Sequence, residues 1–236
     1  MTQIISFFSP KTAGASSVSL NAALLVSAHY PDKSVAYIEV AGWSSQRSSL
    51  AATHQSTWSD LLAFHRTDEW LPNLLNRGKF SLGVDVFFSP IASAYPDFEK
   101  DLSADWLKLL SQKYEVVVLD INNAAPGPWQ EFYLSQSDRV VGVVTPDPVS
   151  ITAWKDWSAN FAKPEKISWM MNQVARFDQK KLQVKFTHSN YKFIGTLRSE
   201  PLKFWYQIYQ SFPVAWQKKS KFKKDLNILL PQIFQR

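Results

Sequence analysis

Apolar residues come along this chain in short runs of the kind that fill a sheet covered on both faces, separated by stretches with helical spacing. The first run, Ile4-Ile5-Ser6-Phe7-Phe8, stops at Ser9-Pro10. A loop of small residues, Lys11 to Ser17, follows; then Val18, Leu20, Ala22, Ala23, Leu25 and Val26 take the spacing of a helix laid on a sheet. Further strands are predicted over 34–40, from Val84 towards Pro90, over 114–120, from Asp138 to Val144 and over 166–174. Between them lie a polar loop at 42–57 and two short helical pieces beginning at Trp58 and Asp68. A helix over 102–110 has Ser103 as N-cap and Trp106, Leu107 and Leu110 as its stripe. Another, over 149–161, puts Trp154 and Trp157 on one face. The alternation predicts one α/β domain over residues 1–236, with a mostly parallel sheet between two helical layers.

The strand, small-residue loop and helix at the start have the layout of a phosphate-binding loop. The standard pattern wants a glycine, four residues, then Gly-Lys-Ser/Thr. Over 9–17 those positions hold Pro10, Ala15, Ser16 and Ser17, so only the hydroxyl fits. A loop lysine makes a charged hydrogen bond of about 1.5–3 kcal/mol, and an alanine forced into a left-handed conformation costs roughly 1–2 kcal/mol. Losing the lysine and the glycines therefore predicts nucleotide binding weakened by about a thousandfold or more.

The ordered set of motifs resembles the MinD/ParA family of deviant-Walker P-loop ATPases. That family opens its loop with Lys-Gly-Gly-x-Gly-Lys-Thr-Thr and carries Asn-Leu-Ala a few residues on. Here Lys11 stands at the signature lysine and Asn21-Ala22-Ala23 at Asn-Leu-Ala, while Thr12, Ala13 and Ala15 replace glycines and Ser16 the P-loop lysine. Glu39 and Ala41 stand where the family has Asp-x-Asp, and Asp120 ends a strand like Walker B. Thr145-Pro146 matches the family's Thr-Pro-Glu, Asn172 its base-contacting Asn, and Gly195 its Gly-x-Ile-Pro-x-Asp, with Arg198 in place of the proline. The resemblance implies a P-loop NTPase-like fold and a vestigial nucleotide site of Lys11, Gly14, Ser16, Ser17, Asp120 and Asn172. For Asp120 the alternative is a cap on the following loop, and for Asn172 a residue that starts one. The middle of the chain most resembles the CpaE/TadZ branch, associated with pilus assembly and polar placement.

Charge alters the picture at one end. Of 26 Lys/Arg and 20 Asp/Glu, residues 176–236 hold 13 basic and 3 acidic, leaving the first 175 residues slightly acidic. Such a basic quarter suits nucleic acid, an anionic membrane, an acidic partner or plain solvation. Its candidate surface is Lys218, Lys219, Lys221, Lys223 and Lys224, at the start of a helical stripe of Phe222, Leu226, Leu229 and Leu230 that Pro231 is expected to end. That helix is read either as core or as an amphipathic membrane helix. Just before it, a helix from Leu202 aligns Trp205, Ile208, Tyr209 and Phe212, and Trp205, Tyr206, Tyr209, Phe212 and Trp216 are the candidate partner or dimer surface.

Composition narrows the chemistry. The absence of Cys excludes disulfides and thiolate metal sites, and the four His have no metal-ligand spacing. No apolar run approaches the ~20 residues of a membrane span, and no basic stretch precedes Ile4 as in a signal peptide. No catalytic constellation stands out. The expectation is a cytoplasmic protein, with the inner-membrane surface as an alternative site. It is read as a catalytically inactive MinD/ParA-like localisation or assembly factor with no resident ATP, Mg²⁺ or other metal. It would act through protein partners of an envelope-associated machine and as a homodimer. The alternatives are an ATP-gated dimeric switch, an ATP hydrolase if active, and a non-specific DNA binder.

Overall fold

The structure, a computed structural model, describes residues 2–41, 83–88, 100–121, 128–160, 166–175, 192–209 and 213–234. The polar loop at 42–57, the helical pieces from Trp58 and Asp68, Phe161 and Phe212 lie outside the described residues.

The elements are β1 (Gln3–Phe8), α1 (Ala15–His29), β2 (Val35–Ala41), β3 (Val84–Phe87), α2 (Lys100–Lys113), β4 (Val116–Ile121), α3 (Pro128–Gln136), β5 (Arg139–Val144), α4 (Pro148–Asn160), β6 (Ile167–Val174), β7 (Lys192–Arg198), α5 (Pro201–Tyr209), a 3₁₀ turn (Val214–Trp216) and α6 (Lys221–Phe234). The strands form one sheet in the order β3-β2-β4-β1-β5-β6-β7. Every pairing is parallel. From β1 the chain crosses past β4 to reach β2; after β4 it crosses back over β1 to β5. The crossover direction therefore reverses around β1, and the crevice beyond the strand ends there is where such sheets bind ligands.

Alternation along each strand divides the core. Ile5 and Phe7 of β1, Val116 and Val118 of β4, and Val141 and Val143 of β5 face a cluster shared with α1 and α6. Phe8, Val117, Leu119, Ile121, Val140 and Val144 face a second cluster with Trp106, Tyr133 and Trp154 of α2, α3 and α4. Helix α1 is buried almost all round, since the sheet lies on one side and α6 and the 3₁₀ turn on the other.

Three local expectations change. Helix α2 begins at Lys100, and Ser103 is a buried residue inside it, not its cap. Helix α3, unpredicted, is described over Pro128–Gln136 and packs Phe132, Tyr133 and Leu134 into the second cluster. Helix α6 runs through Pro231 to Phe234. Pro231 is on the exposed side, while Ile233, 1% exposed, anchors the last turn. The tryptophans of α4 behave as predicted: Trp154 and Trp157 both meet the ring of Trp169, at 5.7 and 6.4 Å between centroids.

Trp169 sits beside Gly142 in the β5–β6 register. A Cβ on Gly142 would come within 2.2 Å of the indole carbons. Trp169 is fully buried and has no room to retreat. Gly142→Ala is therefore expected to destabilise the fold by roughly 2–3 kcal/mol, the cost of overpacking a filled core, read as a lower urea midpoint at unchanged slope.

Candidate functional site

The candidate site lies at the turn from β1 into α1. Gly14 is the N-cap of α1 at φ 80°, in the left-handed region, and its carbonyl accepts the first helical bond from Val18 N at 3.0 Å. A side chain there would be excluded twice, because a Cβ would also fall 2.8 Å from Asn172 Nδ2. Among the described non-glycine residues only Gln173 and Lys219 have positive φ. Thr12, Ala13 and Ala15 thus occupy ordinary backbone conformations, and the strain expected of alanines in a phosphate loop is absent. This loop has a shape that needs a single glycine.

Asn172, at the end of β6, closes the loop from above. Its Nδ2 donates to the carbonyl of Ala13 at 2.9 Å, and its Oδ1 accepts from the N–H of Gln173 at 2.9 Å. Asn172 is 2% exposed and Ala13 fully buried. The amide expected to meet an adenine is spent on the loop. Ser16, at the place of the P-loop lysine, is buried, whereas Ser17 is half-buried and Lys11 exposed.

Asp120 lies beneath the first turn of α1. In the β2–β4 register Tyr37 is level with Val118, so Tyr37 and Asp120 are diagonal neighbours on the α1 face. The Tyr37 hydroxyl donates to Asp120 Oδ2 at 2.9 Å, and Asp120 Oδ1 is buried with no hydrogen-bond partner. Burial raises the Asp120 carboxyl to about 6, against the opposing pull of the Ser16, Tyr37 and Ser19 hydroxyls. Burial, followed by the charges of Asp120 and Glu39, pushes the Tyr37 hydroxyl well above its ordinary range. Glu39, 2% exposed, is registered opposite Asp120.

Asn21 does not reach the loop chemistry either. Its Nδ2 donates to Ser17 O at 2.7 Å and to Gln207 Oε1 at 2.8 Å, while its Oδ1 accepts from Ala215 N at 2.6 Å. Val214 N completes the node on Gln207. After β5, Asp147 caps α4 by accepting from Ser150 N at 2.9 Å, with Thr145 bonded to its other oxygen. Those hydrogen bonds, from Thr145 first, lower the Asp147 carboxyl. Arg198, in place of the family's proline, holds Asp225 by Nε at 2.7 Å and Nη2 at 2.6 Å and so ties β7 to α6.

The donor set does not fit Mg-ATP. The loop interior holds no cation, its inner carbonyl and the strand-end amide bind each other, and neither Asp120 oxygen faces solvent. Among the described residues no three His, Cys, Asp or Glu are grouped to hold a metal. No helix among them is long and apolar enough to cross a membrane.

The C-terminal candidates divide. Trp205 is 47% exposed on α5 beside Leu202, while Trp216 is partly buried and packed on the core. Only the backbone of Tyr206 and Tyr209 is described, as part of α5. Lys218, Lys219, Lys221 and Lys224 are exposed and Lys223 half-buried. Phe222, Leu226, Leu229 and Leu230 are in the core, which removes the apolar face that a membrane-lying α6 would need. Sequence reasoning missed Tyr37 and Gln207; a tyrosine amid an aliphatic buried strand needs a polar partner, and that was the available signal.

The parallel seven-stranded sheet with its loop at β1 is a P-loop NTPase-like fold of the MinD/ParA type. The ParA family ATPase of Chlorobium tepidum TLS matches with a TM-score of 0.81 at 18% identity, over 96% of this chain and 97% of that one. MinD in the MinC:MinD cell division complex of Aquifex aeolicus gives 0.80 at 15%, over 100% and 97%. The septum site-determining protein MinD of Pyrococcus horikoshii OT3, complexed with Mg-ADP, gives 0.77 at 15%, over 100% and 97%. The sequence matches no family model and no curated protein.

Asp120 carries a pH prediction. The unfolded carboxyl ionises at the ordinary aspartate value near 3.8 and the folded one near 6, so ionisation penalises the fold as pH rises through that window and fully above it. The full penalty is roughly 3 kcal/mol at ~1.4 kcal/mol per unit. Asp120→Asn is expected to gain stability relative to the natural chain between pH ~4 and pH ~8, read by urea unfolding at both. Tyr37→Phe is expected to cost about 1–3 kcal/mol, and more at pH ~8, because the lost donor favours the ionised form. Equal pH dependence in all three chains would contradict the buried, partly orphaned carboxylate.

Proposed function

We propose that this chain is a nucleotide-independent MinD/ParA-like localisation or assembly factor, working through protein contacts in a pilus, secretion or other envelope-associated machine. The observation that supports this most is the bond from Asn172 to Ala13, which uses the base-contacting amide to hold the loop. Solved proteins of this fold serve in cell division and plasmid partition by their names, which suits a positioning role. The pilus assignment rests on the layout shared with the CpaE/TadZ branch. The protein would work on the cytoplasmic side, free or at the inner-membrane surface, with a homodimer as the family's expected assembly.

A second reading is an ATP-gated switch. Gly14 in the left-handed region and the half-buried Ser17 at the start of α1 favour it, since both belong to a working phosphate loop.

Calorimetric titration with Mg-ATP and Mg-ADP separates the two. The natural chain is expected to give no heat up to about millimolar nucleotide, a binding free energy weaker than ~4 kcal/mol. A variant with Thr12→Gly, Ala13→Gly, Ala15→Gly and Ser16→Lys is the positive arm. Micromolar binding by the natural chain would overturn the nucleotide-independent reading and make ATP-dependent dimerisation the next measurement.

A further inference from the structure

The turn between the 3₁₀ segment and α6 forms an open groove of about 530 Å³, lined by Lys218, Lys219, Lys223, Lys224, Asn227 and Ile228 among others. No acidic residue lines it among the described residues. The segment from Lys192 to Phe234 has two acidic residues, and both are engaged elsewhere. Asp225 is bonded to Arg198 through both carboxylate oxygens and also accepts its backbone N–H at 3.0 Å. Glu200 accepts from Ser220 Oγ and from Phe222 N at 2.9 Å, capping α6 from inside. The helix N-terminus is therefore already satisfied by this carboxylate and by Ser220, whose Oγ accepts from Lys223 N at 3.0 Å. What remains is four lysines lining one hollow, with no ion pair among the described residues. Lys219 is held there at φ 56°, a conformation that a lysine adopts only when its surroundings impose it.

One wall of the groove is apolar. Ile228 is 62% exposed although its helix neighbours Leu226, Leu229 and Leu230 are buried. Helix α5, with Leu202 at 76% and Trp205 at 47% exposure, is pinned to the same turn: Gln217 Nε2 donates to Lys203 O at 2.8 Å and Lys203 Nζ to Lys218 O at 3.3 Å.

We infer that this groove docks an acidic segment of a partner protein, one whose carboxylates alternate with aliphatic side chains. Charge complementarity fixes the sign of the occupant, and Ile228 its mixed character. A phosphate backbone gains nothing from an exposed isoleucine, and the groove has lysines only, without the guanidinium forks that suit phosphate. Its volume suits a few side chains of a peptide and not the face of a duplex. The inference rests on the protein-contact reading above and names the partner's chemistry.

The test uses the full chain and fluorescence anisotropy with a labelled twelve-residue peptide, (Glu-Glu-Leu-Asp) repeated, beside its amide counterpart (Gln-Gln-Leu-Asn). Labelled 30-bp duplex DNA and vesicles of mixed zwitterionic and anionic phospholipid are the competing probes. At about 0.1 M salt the acidic peptide is expected to bind and the amide peptide not. Lys218→Glu with Lys224→Glu, both at exposed positions, is expected to weaken peptide binding at least about tenfold, equivalent to ~1.4 kcal/mol. Ile228→Ser is expected to weaken it about threefold or more, with thermal unfolding unchanged in each variant. No peptide binding, binding indifferent to these substitutions, or tighter lysine-dependent binding of DNA or vesicles would overturn the groove assignment. Repeating the titration with Mg-ATP separates the two claims. Peptide binding that appears only with Mg-ATP keeps the groove and overturns nucleotide independence; failure with and without nucleotide overturns the groove alone.

Discussion

The approach of Asn172 to the loop after β1 is the contact on which this molecule's central crevice depends. A parallel sheet delivers every strand end to one edge, and the loop leaving the middle strand must turn there without exposing buried backbone. The Ala13 carbonyl would be orphaned in that position; Asn172 satisfies it from β6. The closeness of that amide leaves no space for a side chain at residue 14, and the left-handed turn disfavours one independently. One glycine has thus been kept under two constraints, while its neighbours, under neither, are alanine and threonine. The loop's conformation is built around the protein's own amide.

Internal pairing recurs at the other polar positions of the site. Asp120 meets Tyr37, and Asn21 meets Gln207 and the 3₁₀ turn. Asn21 and Gln207 form a satisfied network: their amides bridge α1, α5 and the turn, and a buried polar group so paired costs little and fixes a unique arrangement. Asp120 is the exception. One of its oxygens has no partner, and its carboxyl is raised by burial. It is a buried charge position at a strand end, covered by the Tyr37 hydroxyl.

How much of this was legible in the sequence follows from the range of each interaction. The β1 strand, its small-residue loop and α1 were readable because local periodicity and loop composition determine them. Asp120 and Asn172 were readable as strand-end polar residues. Their partners were not: Tyr37 and Asp120 are 83 positions apart, Asn172 and Ala13 159, and Asn21 and Gln207 186. Such pairs depend on strand register and crossover order, which periodicity does not encode. Helix α3 was missed for a local reason. Phe132-Tyr133-Leu134 is a continuous apolar run without helical gaps, and Pro128 reads as a turn residue. Pro231 was misjudged in the same way, since a proline on the solvent side of a last turn is tolerated when the next buried residue, here Ile233, holds the turn in place.

In the crevice, polar groups face one another, and the buried Asp120 carboxylate is destabilising when charged. At the C-terminal end Asp225 and Glu200 are drawn inward to hold Arg198 and to cap α6, leaving lysines outside without an ion pair among the described residues. Drawing the acids inward is what fastens β7 and α6 to the sheet, so the positive surface is a by-product of the same bonds that build the fold. On the docking proposed above, recognition depends on a partner of opposite charge and mixed polarity, and screening weakens it as salt rises.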